Sequence, residues 1–198
     1  MATLNLTGDE RADELLSENP FALLIGMLLD QQIAMEVAFL GPARLADRLD
    51  AQLHPATVAD TDPDTLEELF RTTPAIHRYP GSMAGRVHAL ASYLVEHHDG
   101  SAAAVWEDAE DGRDLKRRLK ALPGFGDQKA RIFIALLAKQ CDVRPEGWEQ
   151  AAGEYAEPGY RSIADVVDAD SLQQVRESKQ AAKAAAKAAK AAEKAAQG

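Results

Sequence analysis

One cysteine, Cys141, is all the thiol chemistry in this chain of 198 residues. It cannot form an internal disulfide, and alone it cannot supply a zinc cage or an iron–sulfur cluster. At a helix end it reads as a small buried hydrophobe. No apolar run approaches the roughly 20 residues that span a bilayer, and no basic-then-apolar leader follows Met1. No membrane contact and a cytoplasmic location are therefore expected. Runs of alternating β-branched residues, the mark of strands, are missing too. His, Asp and Glu show no metal-ligand spacing. Basic charge is scarce: 22 Lys and Arg stand against 32 Asp and Glu, for a formal net charge of −10. Taken alone, that balance argues against nucleic acid. Its distribution is uneven, however. Residues 176–198 hold Arg176, Lys179, Lys183, Lys187, Lys190 and Lys194 against only Glu177 and Glu193.

What remains reads as helix almost throughout, so the expected class is all-α. Thr7 and Glu10 suit a capping box opening a helix at 8–17. Asn19-Pro20 supplies an N-cap and a first-turn proline for Phe21–Leu29, a segment apolar nearly all round and hence central. Asp30-Gln31-Gln32 interrupts it, residues 33–40 resume, and Gly41-Pro42 breaks the connection. Asp62-Pro63 starts another helix at 64–71. Ser82 is placed to cap 83–97, with Gly100 ending it. Further helices are expected at 112–121, 127–139, 146–155 and 162–167, and Asp170 is the expected cap of the last one. The chain divides into a helical domain of two lobes at 1–175, with a helical hairpin at 115–139, and an Ala/Lys tail at 176–198. The tail lysines form one helical stripe without an apolar face. It is therefore either a solvated arm that does not pack on the core or a basic arm for phosphates.

The chemistry-bearing segment is Leu119-Lys120-Ala121-Leu122-Pro123-Gly124-Phe125-Gly126-Asp127-Gln128-Lys129-Ala130. Apolar 119 and 122 pack a first helix and Pro123 stops it. Gly124 and Gly126 permit positive φ and remove the Cβ atoms that would block close approach. Phe125 anchors the turn inward. The second helix then starts with unpaired N–H groups facing outward, which suit a phosphate oxygen. Lys116, Arg117, Arg118 and Lys120 add positive charge in front of it.

Here the chain resembles the helix-hairpin-helix (HhH-GPD) DNA glycosylase superfamily, the group that includes endonuclease III. The likeness extends to Asn19–Gln32, which looks like the family's buried helix ending in a glutamine motif. It extends also to Ile76–Tyr79 and Met83–Leu90 ahead of the hairpin. Together these segments fall within residues 18–150. The resemblance implies a helical glycosylase-type fold, double-stranded DNA as partner, base-excision repair as the function, and a monomer associated with the nucleoid. Gln32, with Gln31 beside it, matches the glutamine that fills the gap left by a flipped-out base. Leu122, Gly124, Phe125, Gly126, Lys129, Lys116 and Arg117 fall on the DNA-binding surface. Hairpin carbonyls of Leu122 and Gly124 match those that hold a monovalent cation in family members.

For catalysis the resemblance implies a carboxylate beyond the hairpin, which stabilises the sugar cation or activates water. Gapless counting places it at Glu146, with Asp142 as the alternative. The position of the family's imine-forming lysine is Gln128 here, and one helical residue turns a side chain by about 100°. Lys129 is therefore not expected to take over, which points to a monofunctional glycosylase without strong lyase activity. The iron–sulfur cysteines of some relatives have no counterpart. Tyr79, Trp148, Tyr155, His77 and His88 are candidates for a base pocket. A catalytically silent DNA reader and a structural adaptor are the alternatives to the enzyme.

Overall fold

The structure, a computed structural model, describes residues 3–49 and 51–196. The tail reading of residues 197 and 198, and of the Lys190 and Lys194 side chains, lies outside the described residues. Among those described the chain is all-α, with eleven α-helices and two short 3-10 turns.

Asp9, and not Thr7, caps the first helix, α1 (Glu10–Glu18), by accepting from the Ala12 amide at 2.9 Å. The expected Thr7–Glu10 box gives way because buried Asp13 takes the Thr7 hydroxyl at 2.9 Å, along with the Leu6 and Thr7 amides. Asn19 caps α2 (Pro20–Leu29) as its sequence predicts, accepting from the Phe21 and Ala22 amides. All nine residues Phe21–Leu29 are buried. Against α2 lies α3 (Met35–Ala46), which runs through Gly41-Pro42 without breaking. Packing overrides propensity there: Gly41 and Pro42 are buried, and a Cβ on Gly41 would sit 2.5 Å from Leu29 Cδ1.

Two short helices, α4 (Pro55–Asp60) and α5 (Pro63–Arg71), pack on the long α6 (Pro80–His98). Asp62 caps α5 as expected. The start of α6 lies three residues before Met83, so Ser82 is an ordinary helical residue and not the cap. Pro80 at the first helical position, pre-set in φ, explains the earlier start. Asp99 in the left-handed region and Gly100 end this helix. The remaining helices are α7 (Ala104–Glu107), α8 (Gly112–Ala121), α9 (Asp127–Gln140) and α10 (Trp148–Ala152). The expected helix at 146–155 is shorter, finishing in a 3-10 turn at Gly153–Tyr155, and the one at 162–167 is a 3-10 turn at Ile163–Asp165. Buried α9 is the counterpart of α2 in a second group of packed helices, and the two contact each other.

The last helix, α11 (Ala169–Ala196), is continuous across residue 176. Asp168, not Asp170, receives the Ser171 amide at 2.7 Å ahead of it. Val175 is buried, Arg176 pairs with Glu36, and Lys179 lies 3.8 Å from Asp30. From Gln180 to Ala189 every residue is exposed. The tail thus leaves the body only after Lys179.

The crossing of α2 and α3 is tight at Gly26, where a Cβ would meet the buried Phe39 ring at 2.5 Å. Gly26→Ala is therefore expected to destabilise the fold by about 1–3 kcal/mol, the usual cost of overpacking. In a chain this long each kcal/mol lowers the melting midpoint by roughly 2–4 °C. A thermal melt followed by circular dichroism reads this directly, and an unchanged midpoint would show that α3 can move aside.

Candidate nucleic-acid interface

Between α8 and α9 the chain turns through Leu122–Gly126. Pro123 followed by Gly124 at φ +84°, with the Phe125 amide donating to the Leu122 carbonyl at 3.1 Å, has the signature of a type II turn. Gly124 is needed twice over. Its φ disfavours any other residue, and a Cβ there would come 3.1 Å from Leu28 Cδ1 on α2. Gly126 differs: its φ is −85°, and a Cβ on it would meet nothing within 4 Å. The expectation of positive φ at both glycines is thus corrected to Gly124 alone. Phe125 turns inward and meets Phe133 edge-on at 6.0 Å. Gly126 caps α9 without a side-chain acceptor, so the helix presents its first-turn amides at the exposed turn.

The cations in front of this turn are paired. Lys116 and Lys120 both reach Asp127, at 3.1 and 3.3 Å, and Arg118 holds Asp114 at 2.8 Å with Arg117 on the same carboxylate. The Arg118 hydrogen bond leads in holding the Asp114 carboxyl down at about 2. Hydrogen bonding from Lys116 likewise lowers Asp127.

Behind the hairpin lies the loop joining α2 to α3. Gln31 is fixed on both sides: its Nε2 donates to the Leu28 carbonyl at 3.2 Å, and its Oε1 accepts from Arg86 at 3.2 Å. Buried His77 locks the same residue. Its Nδ1 accepts from the Tyr79 amide at 3.1 Å, so Nε2 bears the proton and donates to the Gln31 carbonyl at 3.0 Å. Burial lowers the His77 ring below its ordinary value, which favours this neutral form. Gln32 is the opposite of Gln31. It is exposed and held at φ +59°, a conformation that costs a non-glycine residue about 1 kcal/mol or more.

Hairpin and loop meet at a cleft of ≈ 870 Å³, within the range of about 300–1,000 Å³ usual for small-ligand sites. Asp30, Gln31 and Gln32 form one wall, Gln128 and Lys129 from α9 a second, and Tyr155 and Lys179 complete it. Lys129 lines this cleft beside Gln128, so the rotation between neighbouring helical residues does not remove it. Its long stem turns back so that the ammonium donates to the Leu28 carbonyl near the negative end of α2. Burial draws this ammonium down to about 8, with Asp30 opposing. The Asp30 carboxyl is pushed up by burial against the pull of Lys179 and Lys129. Gln128 donates to the Tyr155 hydroxyl at 3.1 Å, and Arg131 stacks on that ring at 5.3 Å.

The two carboxylates expected for catalysis, Glu146 and Asp142, are not among the residues lining this cleft. The Glu146 side chain is exposed, and its carbonyl accepts from the Gly112 amide at 2.7 Å. That contact fixes its backbone at the start of α8, a helix whose 10 residues separate it from the hairpin turn by about 15 Å. Asp142, at φ +58°, is exposed and 3.6 Å from Arg144. Tyr155 is the one aromatic candidate that lines the cleft; Tyr79 lies in solvent under Arg78, and Trp148 packs against the core. Sequence reasoning passed over Asp30 and Glu154 as cleft residues and placed Lys179 only in the basic tail. For Asp30 a signal existed: an acid directly after an apolar helix faces the wrong end of the dipole.

The match to a family model, described as HhH-GPD superfamily base excision DNA repair protein, runs over residues 25–197. No curated protein and no solved structure matches the chain. The matched span takes in the Gln31-Gln32 loop, the hairpin and every wall of the cleft. The chain belongs to the HhH-GPD superfamily of base excision DNA repair proteins.

Proposed function

We propose that this protein binds damaged or mismatched duplex DNA through the 122–126 hairpin, receives an everted nucleotide in the cleft, and hydrolyses its N-glycosidic bond. One observation carries the reading: the exposed, strained Gln32 and the first turn of α9, through Gln128 and Lys129 just past the hairpin turn, line one polar cleft. Gln32 is the residue free to enter the gap left by the extruded base, since Gln31 is held at both ends of its carboxamide. The α9 amides suit phosphate directly, and the second lone pair of the Leu122 carbonyl suits a monovalent cation that bridges to it. Gln128 stands where bifunctional members of the family have their lysine, and the neighbouring Lys129 ammonium is engaged by the Leu28 carbonyl, so release stops at the abasic sugar.

The test is a single-turnover screen of the full chain against duplexes carrying uracil, oxidised guanine, alkylated purines or mismatches. Release of one base, leaving an alkali-labile but unbroken strand, is the expected result. Tight, lesion-selective binding with no release from any duplex would instead identify a catalytically silent reader.

A further inference from the structure

We infer that the catalytic carboxylate of this protein is Asp30, supplied by the corner between α2 and α3 and not by the segment beyond the hairpin. The inference rests on the glycosylase reading above and deepens it.

Of the two carboxylates that line the cleft, Asp30 and Glu154, only Asp30 is withdrawn from water. Its side chain is 11% exposed, whereas that of Glu154 is 55% exposed and sits 3.3 Å from Arg131. Asp30 caps the C-terminus of α2, where a negative charge opposes the helix dipole. Nothing local stabilises it there. Its compensation comes from other helices: Lys179 of α11 at 3.8 Å, and Lys129 of α9, whose charge also acts on it. Glu36 of α3 acts in the opposite sense, and its Oε2 is buried without a hydrogen-bond partner although its other oxygen pairs with Arg176. Arg86 of α6 faces Lys129 and adds repulsion that favours loss of the lysine proton. Three helices thus bring charge to one aspartate beside the glutamine wedge.

The chemistry closes with these groups. As the bond from C1′ to the base nitrogen breaks, its electron pair leaves on the base. A water oxygen forms the new bond to C1′, and its proton passes to Asp30. The Lys129 ammonium protonates the departing nitrogen, and the Asp30 proton then returns the lysine to its charged form through solvent. Burial sets both groups near their tasks, raising the carboxyl and bringing the ammonium down to about 8. Rate should therefore rise as Asp30 ionises and fall as pH passes about 8 and Lys129 loses its proton.

The experiment takes the lesion released fastest in the screen and measures single-turnover release for the unsubstituted chain, Asp30→Asn, Glu154→Gln and Glu146→Gln. Asp30→Asn is expected to lose release by about 100-fold or more, the lower range for a removed general base. Its affinity for a duplex with a stable abasic analogue should hold, and the acid limb of the pH profile should vanish. Retained release in Asp30→Asn, with loss in Glu146→Gln or Glu154→Gln, would overturn the assignment while leaving a glycosylase in place. No release by the unsubstituted chain would overturn both. If Asp30→Asn loses its helical signal, the Asp30 carboxyl carbon resonance of the unsubstituted chain decides. Titration above the ordinary value of 3.8, perturbed by the abasic duplex, supports the assignment, and titration at that value without a response overturns it.

Discussion

Gly126→Ala is expected to weaken duplex binding roughly ten- to a hundredfold while leaving the melting midpoint unchanged. The protein side of Gly126 is open: an added methyl meets nothing within 4 Å, and φ of −85° suits alanine. In the binding mode proposed above, the methyl would meet the DNA backbone, brought up to the first amides of α9. Hydrogen bonds to a charged group are worth about 1.5–3 kcal/mol each, so losing one accounts for that range. Gly124→Ala should weaken binding too, but by damaging the turn. At φ +84° an alanine is strained, and its methyl presses on Leu28 at 3.1 Å. The pair of variants separates grip from scaffold. Fluorescence anisotropy with a lesion duplex gives the affinity, and a melt gives the fold. Unchanged affinity in Gly126→Ala would place the phosphate elsewhere on the molecule.

The hairpin was legible because its determinants are local. Proline ends a helix, glycine supplies a positive φ, and a small residue lets two helices cross, whatever the rest of the chain does. Asn19-Pro20 and Asp62-Pro63 are legible for the same reason. Gly41-Pro42 misled because burial of both residues, with Gly41 close against Leu29 of α2, outweighs their local preference, and no window of sequence contains that contact. The cleft was only half legible. Gln31 and Gln32 follow from the motif, but the difference between them comes from Arg86 and His77, which are distant in sequence. For Glu146, counting gives a position in the chain and not a place in the fold. Left-handed backbone at Asp142 and Gly147 brackets it, and its carbonyl meets the Gly112 amide, a contact that spacing does not contain. Asp30 needed three helices to converge before its environment existed at all.

Asp127→Asn is expected to tighten duplex binding by roughly tenfold at low salt, the reverse of the usual effect of altering a hairpin residue. Asp127 opens α9, at the place where the turn offers its amides, and its carboxylate holds both Lys116 and Lys120. An incoming phosphate must compete with it for the same two ammonium groups and the same helix end. Asparagine keeps the size of the side chain and removes the charge. Freed lysines that each meet a phosphate would steepen the slope of log K against log salt by up to about 1.8, at about 0.9 per contact. Mild acid cannot imitate the substitution. Lys116 and Lys120 lower the Asp127 carboxyl, so it stays ionised as pH falls past the ordinary aspartate value of 3.8. Asp114 supplies the contrast. It sits at the opposite end of α8 from the turn and engages Arg117 and Arg118 within that helix, so Asp114→Asn should change the slope less. A salt titration of all three chains on one duplex separates the cases. If Asp127→Asn binds more weakly at every salt concentration, the carboxylate holds the lysines in place for DNA and does not screen them from it.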